Sequence, residues 1–366
     1  MEPIRRDDRP AAPPAAGAGR PAPPLLHAVR APLDVAFRDA SRPLDADARP
    51  LAVLVYGDDP APAAPRAPAG ARAGAGAGAP DRGRPPILVR VPLPRVGGAP
   101  AAEVWSGPVA AAGERRGTVA LAAAGPVAFA AVRAAGAAGP ALEPATAAAY
   151  RDLLAATAAA GYPHLLRVWA VVPGINDDEG GLERYRRFCR ARAEAFEAAY
   201  GPGFTRQLSA STAVGGSAGP LVVYALAGRR RGRHRENPRQ VAAYRYPSEY
   251  GPRSPSFARA TVCPRELGDR LLISGTAAIV GHRSLHSGSV VEQTRETLAN
   301  LARLTAGRPA PPGLPFRQLK VYLRRSEDRP AVEDELRRAL GPEVPLLFLR
   351  ADVCRRELEV EIEGVA

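Results

Sequence analysis

Apolar positions recur along this chain at strand and helix spacing, and they divide most of it into short strands and a few helices. The sharpest stretch covers residues 271–304. Residues 271–280 (LLISGTAAIV) are one apolar run bounded by Gly281, which predicts a buried strand. Ser274, Gly275 and Thr276 sit in its middle, where a plain core strand would carry Val or Ile. Glycine weakens a strand, so Gly275 points to a close approach by backbone or ligand. After Gly288, the residues Val290, Gln293, Thr294, Thr297, Leu298, Leu301 and Leu304 follow the spacing of an amphipathic helix. Ser289 is placed to cap it, with Glu292 three residues on as a capping box.

Elsewhere the same reading predicts strands at 25–30, 51–56 and 87–91, around Glu103-Val104-Trp105, and at 127–132. A helix over 144–158 is followed by a strand at 164–172 (HLLRVWAVV), a helix over 182–199, and strands at 207–212 and 221–227. Strands at 257–261 and 271–280, the helix of 290–304, a strand at 317–323, a helix over 331–340 and strands at 345–350 and 358–364 repeat that order. The repetition predicts two copies of one α+β unit joined head to tail. Two Pro/Ala/Gly-rich tracts, 1–24 and 58–86, offer nothing to build a core from; they are expected as a disordered tail and a surface insertion.

A chain of 366 residues has room for two domains. Its net charge of +13 raises the question of nucleic acid. Arginine is spread throughout, however, and its densest cluster, 229–235, has no interleaved aromatics of the kind single-strand binding uses. A small anionic substrate accounts for the charge equally well, and neither a nucleic-acid nor a membrane partner is expected. No run approaches the roughly 18 apolar residues of a membrane span. The start, MEPIRRDDRP, has no apolar signal core, and three cysteines with no C-x-x-C argue for reduced thiols; a cytoplasmic setting is expected. His282 and His286 lie between Gly281 and Gly288 in a loop with no third ligand, so no metal and no cofactor are expected.

Two stretches carry candidate chemistry. Residues 244–260 (YRYPSEYGPRSPSFARA) combine three tyrosines with Arg245, Arg253 and Arg259. Guanidinium forks suit carboxylates and phenols suit hydroxyls or ring faces, so this strap is a candidate binding segment; an interdomain strap packed by its tyrosines is the alternative. Near the C-terminus, Glu359, Glu361 and Glu363 alternate with Leu358, Val360 and Ile362, so the carboxylates share one strand face. A solvated edge is the plain reading. Three like charges in a row repel, and in a cleft one carboxyl would be driven to keep its proton and serve as an acid.

Several stretches resemble known families. Ser274-Gly275, followed by Gly288, Val290, Gln293-Thr294, Leu298 and Asn300-Leu301, is similar to the signature of the reactive-intermediate deaminase (YjgF/Rid-like, chorismate-mutase-like) fold. The insert GTAAIVGHRSLHSG, the strap 244–260 and the run from Asn176-Asp177-Asp178 to Arg184-Tyr185 and Phe188 resemble the chorismatases, which hydrolyse chorismate on that fold. The resemblance covers roughly residues 160 to 366. It implies an α+β chain of two fused YjgF-like units: 25–228 (with 58–86 as an insertion) and 257–366, joined by a connecting strap, 229–256. These would form a pseudo-trimeric core, as a monomer or a small homo-oligomer.

The same resemblance implies the site. Glu361 takes the general-acid position, and Cys354, seven residues earlier, lines the ring pocket and influences the product. Arg253 and Arg259 hold carboxylates, and Tyr250 and Tyr224 meet the ring or hydroxyls. Gly275 and Thr276 orient the substrate, with Arg184, Tyr185 and Ala260 also at the site. The deaminases carry an arginine where this chain has Glu359, which speaks against imine deamination. Ala260 resembles chorismatases that form a dihydroxycyclohexadiene carboxylate; Cys354 resembles those that form 3-hydroxybenzoate, which is slightly favoured. The rival expectation is a non-catalytic or deaminase-like binding protein.

Overall fold

The computed structural model describes residues 33–44, 49–62, 86–135, 137, 139–216, 219–306 and 316–366. The tail 1–24, the strand expected at 25–30 and most of the insertion 58–86 lie outside the described residues.

Strands β1 (Asp34–Asp39), β2 (Pro50–Tyr56), β3 (Ile87–Val91) and β4 (Ala101–Ser106) form a first sheet in the order β1-β4-β2-β3. Next come β5 (Ala112–Arg116), β6 (Val119–Ala124), β7 (Val127–Ala134), α1 (Leu142–Ala159) and β8 (His164–Pro173). A two-stranded ribbon, β9 (Asp178–Glu179) and β10 (Leu182–Glu183), leads into α2 (Arg184–Tyr200), β11 (Ala210–Gly216) and β12 (Leu221–Gly228). The second sheet runs β11-β8-β12-β7-β6-β5. The last third holds β13 (Arg233–Arg235), β14 (Ala260–Val262), β15 (Leu271–Thr276), a ribbon of β16 (Ile279–Val280) and β17 (Arg283–Ser284), and α3 (Val290–Thr305). It closes with β18 (Gln318–Leu323), α4 (Arg329–Leu340), β19 (Leu346–Arg350) and β20 (Val360–Val365), in a third sheet ordered β13-β14-β15-β20-β18-β19.

Read along their strands, the second and third sheets are one plan used twice. In each, a parallel pair (β8 with β11, β18 with β19) forms one edge, and the last strand of the unit inserts antiparallel beside it. This is the expected α+β arrangement of two YjgF-like units, numbered here after their sheets as the second and third units. The first sheet repeats the four strands at the parallel-pair end, with β2 and β3 as the parallel pair and β4 antiparallel beside them. Residues 25–228, expected as one unit, therefore carry two sheets in their described part. Alternation alone predicts strands but not which of them share a sheet, because that depends on long-range pairing. Part of the expected strap 229–256 is strand as well: β13 pairs with β14 at the edge of the third sheet.

One face of each sheet meets the other two in a central core. Trp105, Phe129, Trp169 and Tyr224 pack there; Trp169 stacks on Tyr224 at 5.0 Å and sets its edge against Trp105 at 5.7 Å between ring centroids. Each such side chain contributes about 1.5–3 kcal/mol on burial. The same core holds buried charge. Lys320 Nζ lies 2.8 Å from Glu103 and 2.7 Å from Glu363, and Arg167 pairs with Glu363 at 2.7 Å. These groups come from all three sheets, so the ion cluster ties the sheets together; buried charges are tolerated only when paired in this way.

Helix α3 is capped as the capping box predicts: the Ser289 hydroxyl accepts from the Glu292 amide at 3.3 Å. Its buried face includes polar groups with specific work. Gln293 Nε2 donates to the Glu357 carbonyl at 2.8 Å while its Oε1 accepts from the Glu359 amide at 2.8 Å, fixing the entry to β20. Asn300 Nδ2 donates to the carbonyls of Ala277 and Ile279. That clamp explains one difference from the expected strand at 271–280. The ladder between β15 and β20 is irregular between Ile273 and Thr276, and the chain leaves the sheet after Thr276, held by Asn300.

Candidate active site

Edge strand β11 of the second sheet docks against the third. Ala210 N–H donates to Thr261 Oγ1 and Ser211 N–H to Ser274 Oγ, both at 2.8 Å, and Gly215 N–H donates to the Asp352 carbonyl at 2.7 Å. Above this seam the sheets part around a cavity of about 540 Å³. Its wall is built from Gly275, Ala277, Ile279 and Glu361 of the third unit, Tyr185, Arg192, Ser211 and Ala213 of the second, and Tyr246, Tyr250, Phe257 and Arg259 of the strap; Cys354 and Arg355 close it from the turn before β20.

Glu361 is 5% exposed and faces this cavity. Burial pushes its carboxyl up to about 8, helped by the neighbouring charge of Glu363 and opposed by Arg167 and Arg259. Desolvation disfavours a charged group, so at neutral pH the buried carboxyl keeps its proton. The shared-face pattern of Glu359, Glu361 and Glu363 does not face solvent: all three are buried. Glu363 points to the ion cluster, and Glu359 lies 3.8 Å from Arg325. Gly275 explains the glycine inside β15. A Cβ there would stand 2.7 Å from Glu361 Cδ and closer still to Oε1, so only a residue without a side chain leaves room for the carboxyl.

Five arginines line the cavity; Arg186 and Arg356 lie 3.7 and 4.0 Å from Glu183, and the other three form no ion pair among the described residues. Arg259 is buried; its Nη2 donates to the Tyr246 hydroxyl at 2.6 Å and the Val241 carbonyl at 3.2 Å, and its Nε has no partner among the described residues. Arg355 lies 4.1 Å over the Tyr250 ring and 5.4 Å over that of Tyr246, anchored by the His282 carbonyl and the Ser284 hydroxyl. Arg192 is 1% exposed, packs over Phe188 at 4.8 Å and points Nη2 at Cys189 Sγ, 3.8 Å away, with the Tyr150 hydroxyl also beside it; its Nε has no partner among the described residues. Arg192 forms no ion pair with any carboxylate among the described residues. An unpaired buried charge is costly, so its place at the cavity wall suits an incoming anion. Ser211 adds a hydroxyl whose Oγ has no partner among the described residues. A proton-bearing acid, a phenol-lined wall and several free guanidinium donors make a receptor for a small, multiply anionic ring compound.

Known proteins resemble this chain. A family model described as "Chorismatase FkbO/Hyg5-like, N-terminal" matches residues 103–227. A curated protein of Streptomyces hygroscopicus named 3-hydroxybenzoate synthase is 40% identical over 299 residues, covering 78% of this chain and 86% of the relative. The chain belongs to the chorismatase family. A curated chorismatase of Streptomyces rapamycinicus is 40% identical over 232 residues, 60% of this chain and 69% of that protein. A chorismatase crystal structure superposes with a TM-score of 0.76 at 31% identity, covering 91% of this chain and 98% of that one.

Of the residues that the chorismatase resemblance put forward, Glu361, Cys354, Arg259, Tyr250, Gly275 and Tyr185 all line this one cavity. Tyr250 also bonds His282 Nδ1 at 3.1 Å. The Cys354 thiol is pushed up by burial and by the charge of Glu361, so it stays a thiol. Five expected residues do not reach the cavity. Tyr224 stacks in the central core against Trp169 and Phe129. In strand register it lies opposite Trp169 as Glu361 lies opposite Tyr322, so it fills, in the second unit, the place that Glu361 takes in the third. Arg184 spends its donors on structure: Nε on the Pro173 carbonyl, Nη1 on the Gly139 carbonyl and Glu179, and Nη2 on the Ala137 carbonyl. Arg253 pairs with Glu197 at 2.8 Å on the outside of the strap. Thr276 is turned inward, with its hydroxyl on the Ser274 carbonyl at 2.9 Å. Ala260 is buried in the core of the third unit beside Leu271 and Ile273.

Sequence reasoning missed Arg355, Arg192, Tyr246 and Ser211. Arg355 directly follows Cys354, and Tyr246 lies in the strap already singled out, so proximity marks both. Arg192 lies on the inward face of the α2 amphipathic pattern, eight residues after Arg184; a cation at an apolar position was its signal.

Proposed function

We propose that this chain cleaves chorismate into pyruvate and 3-hydroxybenzoate, with Glu361 as the proton donor. The reading rests on one observation: a buried carboxyl that keeps its proton at neutral pH faces a cavity ringed by guanidinium groups. Chorismate carries two carboxylates, a ring hydroxyl and an enolpyruvyl ether. Protonating the methylene carbon of that ether requires a positioned acid and leaves an oxocarbenium ion. Arg259, Arg355 and Arg192 supply donors for the two carboxylates, and Tyr250 meets the ring or its hydroxyl. Donors fixed before the substrate arrives cost no reorganisation as charge develops.

The ring product follows from what quenches the ion. Attack within the ring system yields an aromatic acid and pyruvate with no net uptake of water. Attack by external water yields a dihydroxycyclohexadiene carboxylate and pyruvate, with one water consumed. Two markers bear on the choice. Cys354 stands on the cavity wall and Ala260 stands behind it, which favours the marker associated with 3-hydroxybenzoate. Of the two curated relatives named above, the one that covers more of this chain carries the name of a 3-hydroxybenzoate synthase.

Purified protein given chorismate is expected to release pyruvate in a coupled assay and to yield 3-hydroxybenzoate on chromatography. Glu361→Gln, which keeps the shape of the side chain, is expected to lower pyruvate release by orders of magnitude while chorismate still binds. A variant with undiminished turnover would remove the acid from the mechanism. Pyruvate with no aromatic acid would overturn the product assignment.

A further inference from the structure

The mechanism leaves unused the buried cluster behind Glu361. Glu363 lies two residues along the same strand, on the same face as Glu361. Its Oε1 accepts from Trp169 Nε1 at 2.7 Å and lies 2.7 Å from Lys320 Nζ. Its Oε2 accepts from Arg167 Nη2 at 2.7 Å and from the Thr212 hydroxyl. That hydroxyl oxygen in turn accepts from Arg167 Nη2 at 2.5 Å and from the Gly275 amide at 2.8 Å. Gly275 is the residue whose bare Cα gives the Glu361 carboxyl its place. A continuous path of hydrogen bonds and contacts thus runs from Glu363 through Thr212 and Gly275 to the acid, across β20, β11 and β15.

We infer that Glu363 and Thr212 are positioning residues: Thr212, anchored by Glu363 and Arg167, fixes the Gly275 backbone against Glu361, and the charge of Glu363, added to the burial of Glu361, extends the pH range in which the acid works. The inference rests on the reading of Glu361 as proton donor. Burial works against the charge of Glu363, but Lys320 and Arg167, with hydrogen bonds from Lys320 and Thr212, outweigh it and keep the group ionised. The charged or titratable groups around Glu361 are Glu363 on its own strand, Arg167 from β8, Arg259 from the strap, Cys354 from the preceding turn and Tyr322 opposite it on β18. Of these, ionised Glu363 is the one that favours the protonated acid; Arg167 and Arg259 favour its loss of the proton. Lys320 keeps a second carboxylate, Glu103, so removing the charge at 363 does not leave it unpaired.

The test is the pH profile of kcat/KM for chorismate in the full-length protein. In Glu363→Gln the alkaline limb is expected to move to lower pH by about one unit, since a like charge beside an acid raises its proton affinity by that order. Thr212→Val is expected to lower kcat at least 10-fold with KM little changed, and Thr212→Ser to restore most of it. An unmoved limb in Glu363→Gln overturns the role of its charge. Equal kcat in the valine and serine variants overturns the positioning role, and that pair decides the matter alone if the Gln variant does not fold. Glu361→Gln measured alongside separates the two claims: full turnover there sinks the acid itself, whereas an inactive Glu361→Gln with unmoved relay variants sinks the relay alone.

Discussion

Gly275 and Glu361 occupy one space. The carboxyl of Glu361 lies where a side chain at residue 275 would begin, with Cδ 2.7 Å from the position of a Cβ. Only the far end of a glutamate stands in the way, so the fold has room to adjust and the site does not. Gly275→Ala is expected to leave the melting temperature within a few degrees of the parent and to lower kcat on the order of 10²-fold, the loss that follows from about 1 Å of misplacement. Thermal melts and steady-state pyruvate release check both halves. An active alanine variant would mean that the carboxyl works from another position.

Glu361 also makes stability depend on pH. Its carboxyl holds a proton up to about 8 in the folded protein against 4.5 for the free side chain. Between those values the native state binds one proton more than the unfolded chain. Its contribution to stability is therefore full below 4.5 and is lost as pH rises through 8, by up to ~1.4 kcal/mol per pH unit. Chemical denaturation from pH 5 to pH 8 is expected to show this falling slope in the parent and a flatter one in Glu361→Gln, which is the more stable of the two at pH 7.5. Identical slopes would place the acid in contact with water.

Arg192 is expected to contribute binding without contributing to the fold. Arg192→Gln should raise KM for chorismate by about 10- to 100-fold, the value of one charge-assisted hydrogen bond of ~1.5–3 kcal/mol. The variant should melt no lower than the parent, because an unpaired buried charge has been removed. Unchanged KM would exclude the group from substrate contact.

Cys354 is expected to steer the product rather than the rate. Cys354→Ala should still release pyruvate within about 10-fold of the parent, since the acid is untouched, a modest change by the measure of transition-state free energies. The ratio of dihydroxycyclohexadiene carboxylate to 3-hydroxybenzoate should rise, as read by chromatography. The raised thiol should also make Cys354 slow toward iodoacetamide at pH 7, because the thiolate is the reactive form. An unaltered product ratio would transfer the steering role to another wall residue.

Much of this protein is determined by its sequence read locally. Helices α1 to α4 begin and end within about three residues of where the apolar periodicity places them, and the capping of α3 follows from Ser289 and Glu292. The acid, the glycine beside it, the thiol and much of the strap are legible too, because each breaks a local rule: a glycine inside a strand, three carboxylates on one face, tyrosine and arginine crowded into what would otherwise be a linker. Leu166-Arg167-Val168-Trp169 and Leu319-Lys320-Val321-Tyr322 even spell the same pattern on equivalent strands, a written trace of the repeat that builds the ion cluster.

Tertiary structure alone decided which cleft became the site. Tyr224 and Glu361 stand at matching positions of two matching sheets, yet one ring packs into a buried aromatic core and one carboxyl meets a cavity. Arg184 and Arg192 lie on the same helix; backbone carbonyls and Glu179 take up the donors of the first, while the second forms no ion pair among the described residues. Periodicity reports which face of an element turns inward. What that face meets depends on strands some hundred or more residues away, and a side chain's charge state and free hydrogen bonds follow from that meeting.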